Sequence, residues 1–164
     1  MERLWAPWRM EYILEAKDPV REVCIFCALP RAQIDRDNLI VWRGRCVYTI
    51  LNKFPYNPGH LMVAPYAHVA NLDALHPEQL TDLMLGVRRA TGCLSRVMSP
   101  DGYNIGINLG RTAGAGIPGH IHVHVVPRWE GDHNFMPVLG ETKVMPEYLQ
   151  RTYDQLAPWF QADR

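Results

Sequence analysis

Short apolar runs separated by glycine and proline fill the middle of the chain, and one longer stretch repeats its apolar residues at helical spacing. Leu39-Ile40-Val41-Trp42 and Cys46-Val47-Tyr48-Thr49-Ile50-Leu51 flank a turn at Arg43-Gly44-Arg45. Their β-branched content and the central glycine predict a β-hairpin. A loop with Pro55, Asn57, Pro58 and Gly59 leads to His60-Leu61-Met62-Val63-Ala64-Pro65, the next predicted strand, so three antiparallel strands follow one another as a meander. Pro77 then opens a helix in which Leu80, Leu83, Met84, Val87, Leu94 and Val97 recur at three- and four-residue steps up to Pro100. Gly86 and Gly92 each cost such a helix about 1 kcal/mol relative to alanine, so packing on the sheet must hold it together. Tyr103-Asn104-Ile105-Gly106-Ile107-Asn108 is a fourth strand. In Gly119-His120-Ile121-His122-Val123-His124-Val125-Val126-Pro127, histidines alternate with β-branched residues before a proline closes the run. This alternation predicts a fifth strand with three imidazoles on one face, about 6.5–7 Å apart, and Ile121, Val123 and Val125 on the other, in the core. Pro146 starts a final helix whose apolar face is Tyr148, Leu149, Tyr153 and Leu156.

The ends of the chain add less. Trp5, Pro7, Trp8, Met10, Tyr12 and Ile13 put bulky apolar groups on a segment too broken by proline for a long helix. Such an arm must cover something: the domain's own core, a ligand site or a partner subunit. No domain boundary or repeat interrupts residues 1–164, which are expected to form one domain with an arm at 1–23 and a helical segment at 141–164. An apolar content of 48% supplies a sizeable core. Lys+Arg and Asp+Glu both number 17, so the overall charge gives no reason to expect binding to nucleic acid or a membrane surface. Apolar runs all fall short of the roughly 18–20 residues that span a bilayer, and the first residues lack a signal peptide's apolar region, so a cytoplasmic protein is expected. In that reducing setting Cys24 and Cys27, a Cys-x-x-Cys pair, suggest a metal or a reduced thiol pair, while Cys46 and Cys93 read as buried thiols.

Three histidines in strict alternation can be a half-exposed strand or a reaction centre. Chemistry favours the second. A histidine attacks phosphorus when its ring is neutral, fixed in one tautomer and aimed from a preorganised position. Neighbouring imidazoles disfavour a second positive charge and so keep the cluster neutral near pH 7. The loop from Gly110 to Gly119 feeds directly into this strand, and its glycines, Gly114 and Gly116 among them, let backbone N–H groups approach phosphate oxygens. The loop fits no Walker or Rossmann spacing. His76 reads as a helix cap and His133 as a loop residue, while His60 begins a strand beside the site.

The run His120-Ile121-His122-Val123-His124-Val125-Val126 resembles the histidine triad signature, His-φ-His-φ-His-φ-φ with φ apolar. The resemblance covers most of the chain in order: the Cys-x-x-Cys, Leu51-Asn52, Pro58-Gly59-His60, the long helix, and Asn108 before the glycine-rich loop. Tyr56-Asn57-Pro58-Gly59-His60-Leu61-Met62-Val63, Asn108-Leu109-Gly110 and Pro127-Arg128-Trp129 resemble the branch that contains bacterial diadenosine tetraphosphate phosphorylases. The resemblance implies an α+β fold, an antiparallel sheet of about five strands with the long helix on one face, pairing into a homodimer with a continuous sheet.

It also implies an enzyme. His122 would attack the α-phosphorus of a nucleotide and form a nucleotidyl-histidine. His124 would sit beside the α-phosphate and the leaving oxygen, and His120 would support the nucleophile or bind metal. Asn52 falls where the family contacts the ribose, His60 where it borders the nucleotide, and Asn108 where it touches the phosphates. The loop between Asn108 and His120 is about one residue longer than in many relatives, and Gly116-Ile117 stands where many carry a hydroxyl residue. In zinc-containing relatives the ligands match Cys24, Cys27, His68 and His120, which implies a structural zinc; no organic cofactor is implied. The implied substrate is diadenosine tetraphosphate, cleaved with phosphate or water as acceptor. The alternatives are a dinucleoside polyphosphate or nucleoside phosphoramidate hydrolase, and a non-catalytic nucleotide-binding module.

Overall fold

A computed structural model describes residues 23–132 and 148–162. The arm's Trp5 to Ile13, His133, Pro146 and the stretch from there back to Gly140 lie outside them. The meander forms as expected, with β1 (Ile40–Arg43), β2 (Val47–Leu51) and β3 (Leu61–Pro65). A fourth strand, β4 (Gly102–Ile107), and a fifth, β5 (Val123–Arg128), complete one antiparallel sheet in the order β1-β2-β3-β5-β4. The histidine strand therefore lies inside the sheet, between β3 and β4.

Every residue of β2 and β3 is buried, which removes the alternation that a one-sided sheet would show. The long helix α2 (Pro77–Met98) packs on β2, β3 and β5. A short helix near the N-terminus, α1 (Ile25–Arg31), supplies Phe26 to the core, and the Tyr48 hydroxyl, itself buried, donates to the Phe26 carbonyl at 2.8 Å. Seven residues with a proline inside carry too little periodicity for sequence reading, and α1 went unpredicted. The last helix, α3 (Leu149–Ala162), packs on α2 and β1.

Five expectations are corrected. The histidine run was read as a strand from Gly119 to Pro127, but β5 begins at Val123, where both neighbouring ladders end. Upstream of it the Ile121 N–H turns to the Val69 carbonyl at 2.7 Å, so His120 and His122 sit on a lead-in segment beyond the ladders. Pro127, expected to close the run, lies inside β5. Its carbonyl accepts from Asn57 Nδ2 at 3.0 Å on the side where β3 no longer runs, so its missing N–H takes nothing from the sheet. On α2 the inward stripe is Leu83, Val87, Ala90 and Leu94; Met84, one residue out of phase, is 60% exposed. On α3 the buried face is Thr152, Leu156, Ala157 and Phe160, and Tyr148 stands in solvent. Cys93 is buried as expected, and Cys46 only half so.

The helix glycines separate into two kinds. A Cβ on Gly86 would lie 2.8 Å from Val63 Cγ1 and 3.4 Å from Val47 Cγ2, so this glycine sets how closely α2 lies on the sheet. A Cβ on Gly92 would meet nothing within 4 Å. We expect Gly86→Ala to destabilise the protein by about 1–3 kcal/mol through overpacking, and Gly92→Ala to stabilise it by about 0.5–1 kcal/mol through helix propensity. Thermal melts of the two variants test the contrast; equal shifts of the same sign refute it.

Candidate active site

The triad is assembled at the start of β5, and hydrogen-bond partners of fixed polarity settle the tautomer of each ring. A carbonyl only accepts. His122 Nδ1 lies 2.9 Å from the His120 carbonyl oxygen, so Nδ1 carries the proton and Nε2 keeps its lone pair. The ring is 5% exposed, and burial pushes its pKa below the ordinary histidine value against the opposing pull of the carbonyl. A buried neutral imidazole with a bare Nε2 is the form a nucleophile needs. Phe26 lies against it with ring centroids 4.6 Å apart, and His124 meets it edge-on at 4.9 Å.

The same logic runs through His60 to His124. The Tyr56 N–H donates to His60 Nδ1 at 3.0 Å, with the Asn52 amide nitrogen 3.3 Å from the same atom. His60 Nε2 therefore holds that ring's proton, and it faces His124 Nδ1 at 3.0 Å. His124 accepts at Nδ1 and carries its own proton on Nε2. His122 and His124 are thus set as complementary neighbours, one presenting a lone pair and the other an N–H. His60 is fully buried, between Asn52 and the Tyr56 N–H on one side and His124 on the other.

His120 faces a different group. Its Nε2–H donates to the Pro65 carbonyl at 2.8 Å, which leaves the Nδ1 lone pair toward Cys24 Sγ at 3.4 Å and Cys27 Sγ at 3.6 Å. His68 Nδ1 is 3.3 Å from Cys27 Sγ. The donor atoms of Cys24, Cys27, His68 and His120 all lie within 4.8 Å of one another. Tetrahedral zinc with its usual bond lengths would hold sulfur and nitrogen ligands about 3.5 Å apart, so the set fits that ion in donor type and spacing. Burial and the adjacent Cys24 raise the pKa of the Cys27 thiol, which a bound cation would reverse.

The remaining expected residues divide. Asn52 follows β2 beside His60, but its Oδ1 accepts the Phe54 N–H at 3.0 Å, which commits part of the amide to its own turn. The Gly114 N–H bonds the Arg111 carbonyl at 3.0 Å inside the loop and is not available to a phosphate, whereas the Gly116 N–H takes no partner among the described residues. Asn108 borders a cavity of about 300 Å³ beside His124, together with Tyr56, Asn57, Asn104, Gly106 and Arg128. Sequence reading did not find Phe26, Asn57, Asn104 or Arg128. Phe26 carried a local signal in its position inside the Cys-x-x-Cys, and Asn57 and Arg128 lie in stretches that carry the family resemblance; Asn104 carried none.

The sequence profile of the HIT domain family matches residues 33–131, a span that includes all three triad histidines and leaves out the two cysteines. An AP-4-A phosphorylase of Mycobacterium tuberculosis is 43% identical over 163 residues, covering 96% of this chain and 83% of its own. A bis(5'-nucleosyl)-tetraphosphatase (asymmetrical) of Schizosaccharomyces pombe is 38% identical over 93 residues, 57% of this chain and 50% of that one. Among solved structures, a Zn-bound histidine triad family protein from Mycobacterium smegmatis superposes with a TM-score of 0.69 at 26% identity, over 85% of this chain and 95% of the other.

Proposed function

Because the chain belongs to the HIT domain family, we propose that it cleaves diadenosine tetraphosphate at an α-phosphorus in two displacements, with His122 as the covalent relay. The observation that carries this reading is the pair of opposed tautomers, a bare Nε2 on His122 next to an Nε2–H on His124. In the first displacement the His122 Nε2 lone pair forms a bond to the α-phosphorus while the bond to the bridging oxygen breaks. ATP leaves with that oxygen hydrogen-bonded to His124. The imidazole gains a positive charge but loses no proton, since its Nδ1–H stays on the His120 carbonyl, which stabilises the cation. In the second displacement an acceptor oxygen bonds to phosphorus, the N–P bond breaks, and His122 returns to its neutral form. Inorganic phosphate as acceptor yields ADP; water yields AMP.

Phosphate is the acceptor we assign, on the likeness of nearly the whole chain to a phosphorylase. The shorter match to a tetraphosphatase is what favours water as the second reading. Asn52, Asn108 and the Gly116 N–H would meet the ribose and phosphates. Cys24, Cys27, His68 and His120 would hold zinc, which supplies a crosslink between α1, the segment after β3 and the catalytic lead-in. With four protein ligands it takes no part in the displacement. We also assign a single domain over residues 1–164, a homodimer joined at a sheet edge, a cytoplasmic location, and no nucleic-acid or membrane partner. Among the described residues no helix is long and apolar enough to cross a membrane.

Incubating the purified protein with diadenosine tetraphosphate, with and without inorganic phosphate, tests the reading. ADP and ATP that appear only with phosphate support it. AMP and ATP at a phosphate-independent rate replace it with the hydrolase. No turnover would leave the chain a nucleotide-binding module.

A further inference from the structure

The family premise says nothing about what separates phosphate from water once the nucleotidyl group is on His122. The cavity beside His124 offers an answer. It lies along β4 and β5, and its polar lining includes His124, Asn104, Asn108 and Arg128. Arg128 Nη1 donates to Asn104 Oδ1 at 2.6 Å. A guanidinium cannot accept, so this contact fixes which way the Asn104 amide is turned: the oxygen is taken by Arg128, and the NH2 is the group left to offer a ligand. Asn108 makes no hydrogen bond within the described residues, and its amide borders the same space. Gly106 lies between them on β4, where an added Cβ would meet nothing within 4 Å, so the floor of the cavity is open. His124 borders the same cavity, whose lining among the described residues holds one cation, Arg128, and no carboxylate.

The neighbouring carboxylate does not oppose an anion there. Asp132 accepts from Arg128 Nε and Nη2 at 2.6 and 2.8 Å, from Asn57 Nδ2 at 2.7 Å and from the Trp129 N–H at 3.3 Å. Its charge is held by these partners, above all the Arg128 guanidinium, which hold its carboxyl well below the usual carboxylate range. Asp132 thereby fixes the far side of Arg128, and Arg128 fixes Asn104. This chain of contacts uses a buried Asn57 amide and a strand-end arginine to set the orientation of one exposed amide, that of Asn104.

We propose that the cavity is an acceptor subsite for inorganic phosphate, with Asn104 its selecting residue and Arg128 the residue that aims Asn104. The proposal rests on the nucleotidyl transfer through His122 argued above. After ATP has left, a phosphate dianion enters the cavity, its oxygens taken by the amides of Asn104 and Asn108. One unprotonated oxygen attacks the α-phosphorus on the side of His124. The O–P bond forms as the N–P bond breaks, the product is ADP, and the proton of the attacking phosphate is lost from ADP to solvent. Water can make the same attack but gains nothing from Asn104.

The test is the ratio of ADP to AMP formed from diadenosine tetraphosphate at a series of phosphate concentrations, in wild type and in Asn104→Asp. Aspartate keeps the acceptor for Arg128 and the size of the side chain, but it replaces the NH2 with a negative oxygen. Because the ratio is taken within each sample, any change in the rate of ATP release cancels. We expect the variant to lower the ADP:AMP ratio by about tenfold or more and to raise the KM for phosphate by a similar factor, the value of one charge-dependent hydrogen bond. Asn104→Ser, which removes the amide without adding charge, should fall between. An unchanged ratio in both variants, with wild type producing ADP, overturns the subsite and leaves the nucleotidyl transfer standing. AMP as the sole wild-type product also overturns the subsite, and no wild-type turnover overturns the transfer itself.

Discussion

His122→Ala should abolish turnover of diadenosine tetraphosphate, lowering kcat by at least about four orders of magnitude while nucleotide affinity changes by less than about tenfold. The size of the effect follows from the covalent step. Without an Nε2 lone pair no nucleotidyl-enzyme forms, and what remains is whatever direct attack the bound substrate permits. The small effect on affinity follows from burial: the ring is 5% exposed and packed between Phe26 and His124, so little of it is available to bind substrate in the ground state. His124→Ala should be milder, about two to three orders of magnitude in kcat, because it removes a hydrogen bond to the leaving oxygen and not the bond to phosphorus. Rapid-quench trapping of the nucleotidyl-enzyme, alongside steady-state rates, separates the two. Equal residual activity in both variants, or a trapped adduct in His122→Ala, would remove His122 from the role of relay.

How much of this was legible beforehand depends on the range of the interactions involved. The meander, α2 and β4 were readable because their signals are local: β-branched runs, a glycine at a turn, prolines at both ends of a helix. The positions of His122 and His124 were readable because alternation alone puts them on one face. Their protonation was not. It depends on the His120 carbonyl, and on the Tyr56 N–H acting through His60, a residue 64 positions from His124 in the chain. The beginning of β5 was misjudged for a related reason. Alternation continues through His120 and His122, but a strand exists only where neighbours pair with it, and both ladders stop at Val123. On α2 the expected stripe holds at Leu83, Val87 and Leu94 and fails at Met84, and Gly86 and Ala90, which complete the inward face, carry no apolar signal because a close approach to the sheet needs small residues there. Asn104 gave no signal at all, because its importance arises only from the arginine that turns it.

The second large effect concerns the four residues that could hold a metal ion, Cys24, Cys27, His68 and His120, and it tests how the reaction centre is held. Cys27→Ser should lose zinc and lower the melting temperature by about 10 °C, equivalent to roughly 3–4 kcal/mol in a chain of this length. Four contacts that now converge would become a partly buried thiol, a hydroxyl and two imidazoles without a common partner. Cys46→Ser, which touches none of them, is the control and should stay within about 1 kcal/mol of wild type. A change in catalysis should follow from the geometry of His120. Its ring is fixed on one side by the Pro65 carbonyl and on the other by the thiols, and its own carbonyl holds the tautomer of His122. Releasing the ring loosens the backbone that carries this carbonyl, so kcat should fall by about tenfold or more with little change in KM. Zinc content, melting temperature and kcat should move together, both in Cys27→Ser and in wild type stripped by a chelator, and readdition of zinc should restore all three only in wild type. If wild-type protein carries no zinc and its melting temperature ignores the chelator, the four side chains are a reduced thiol pair beside two histidines. The support for His122 would then come from Phe26, His124 and the His120 carbonyl, with the His120 ring held by the Pro65 contact.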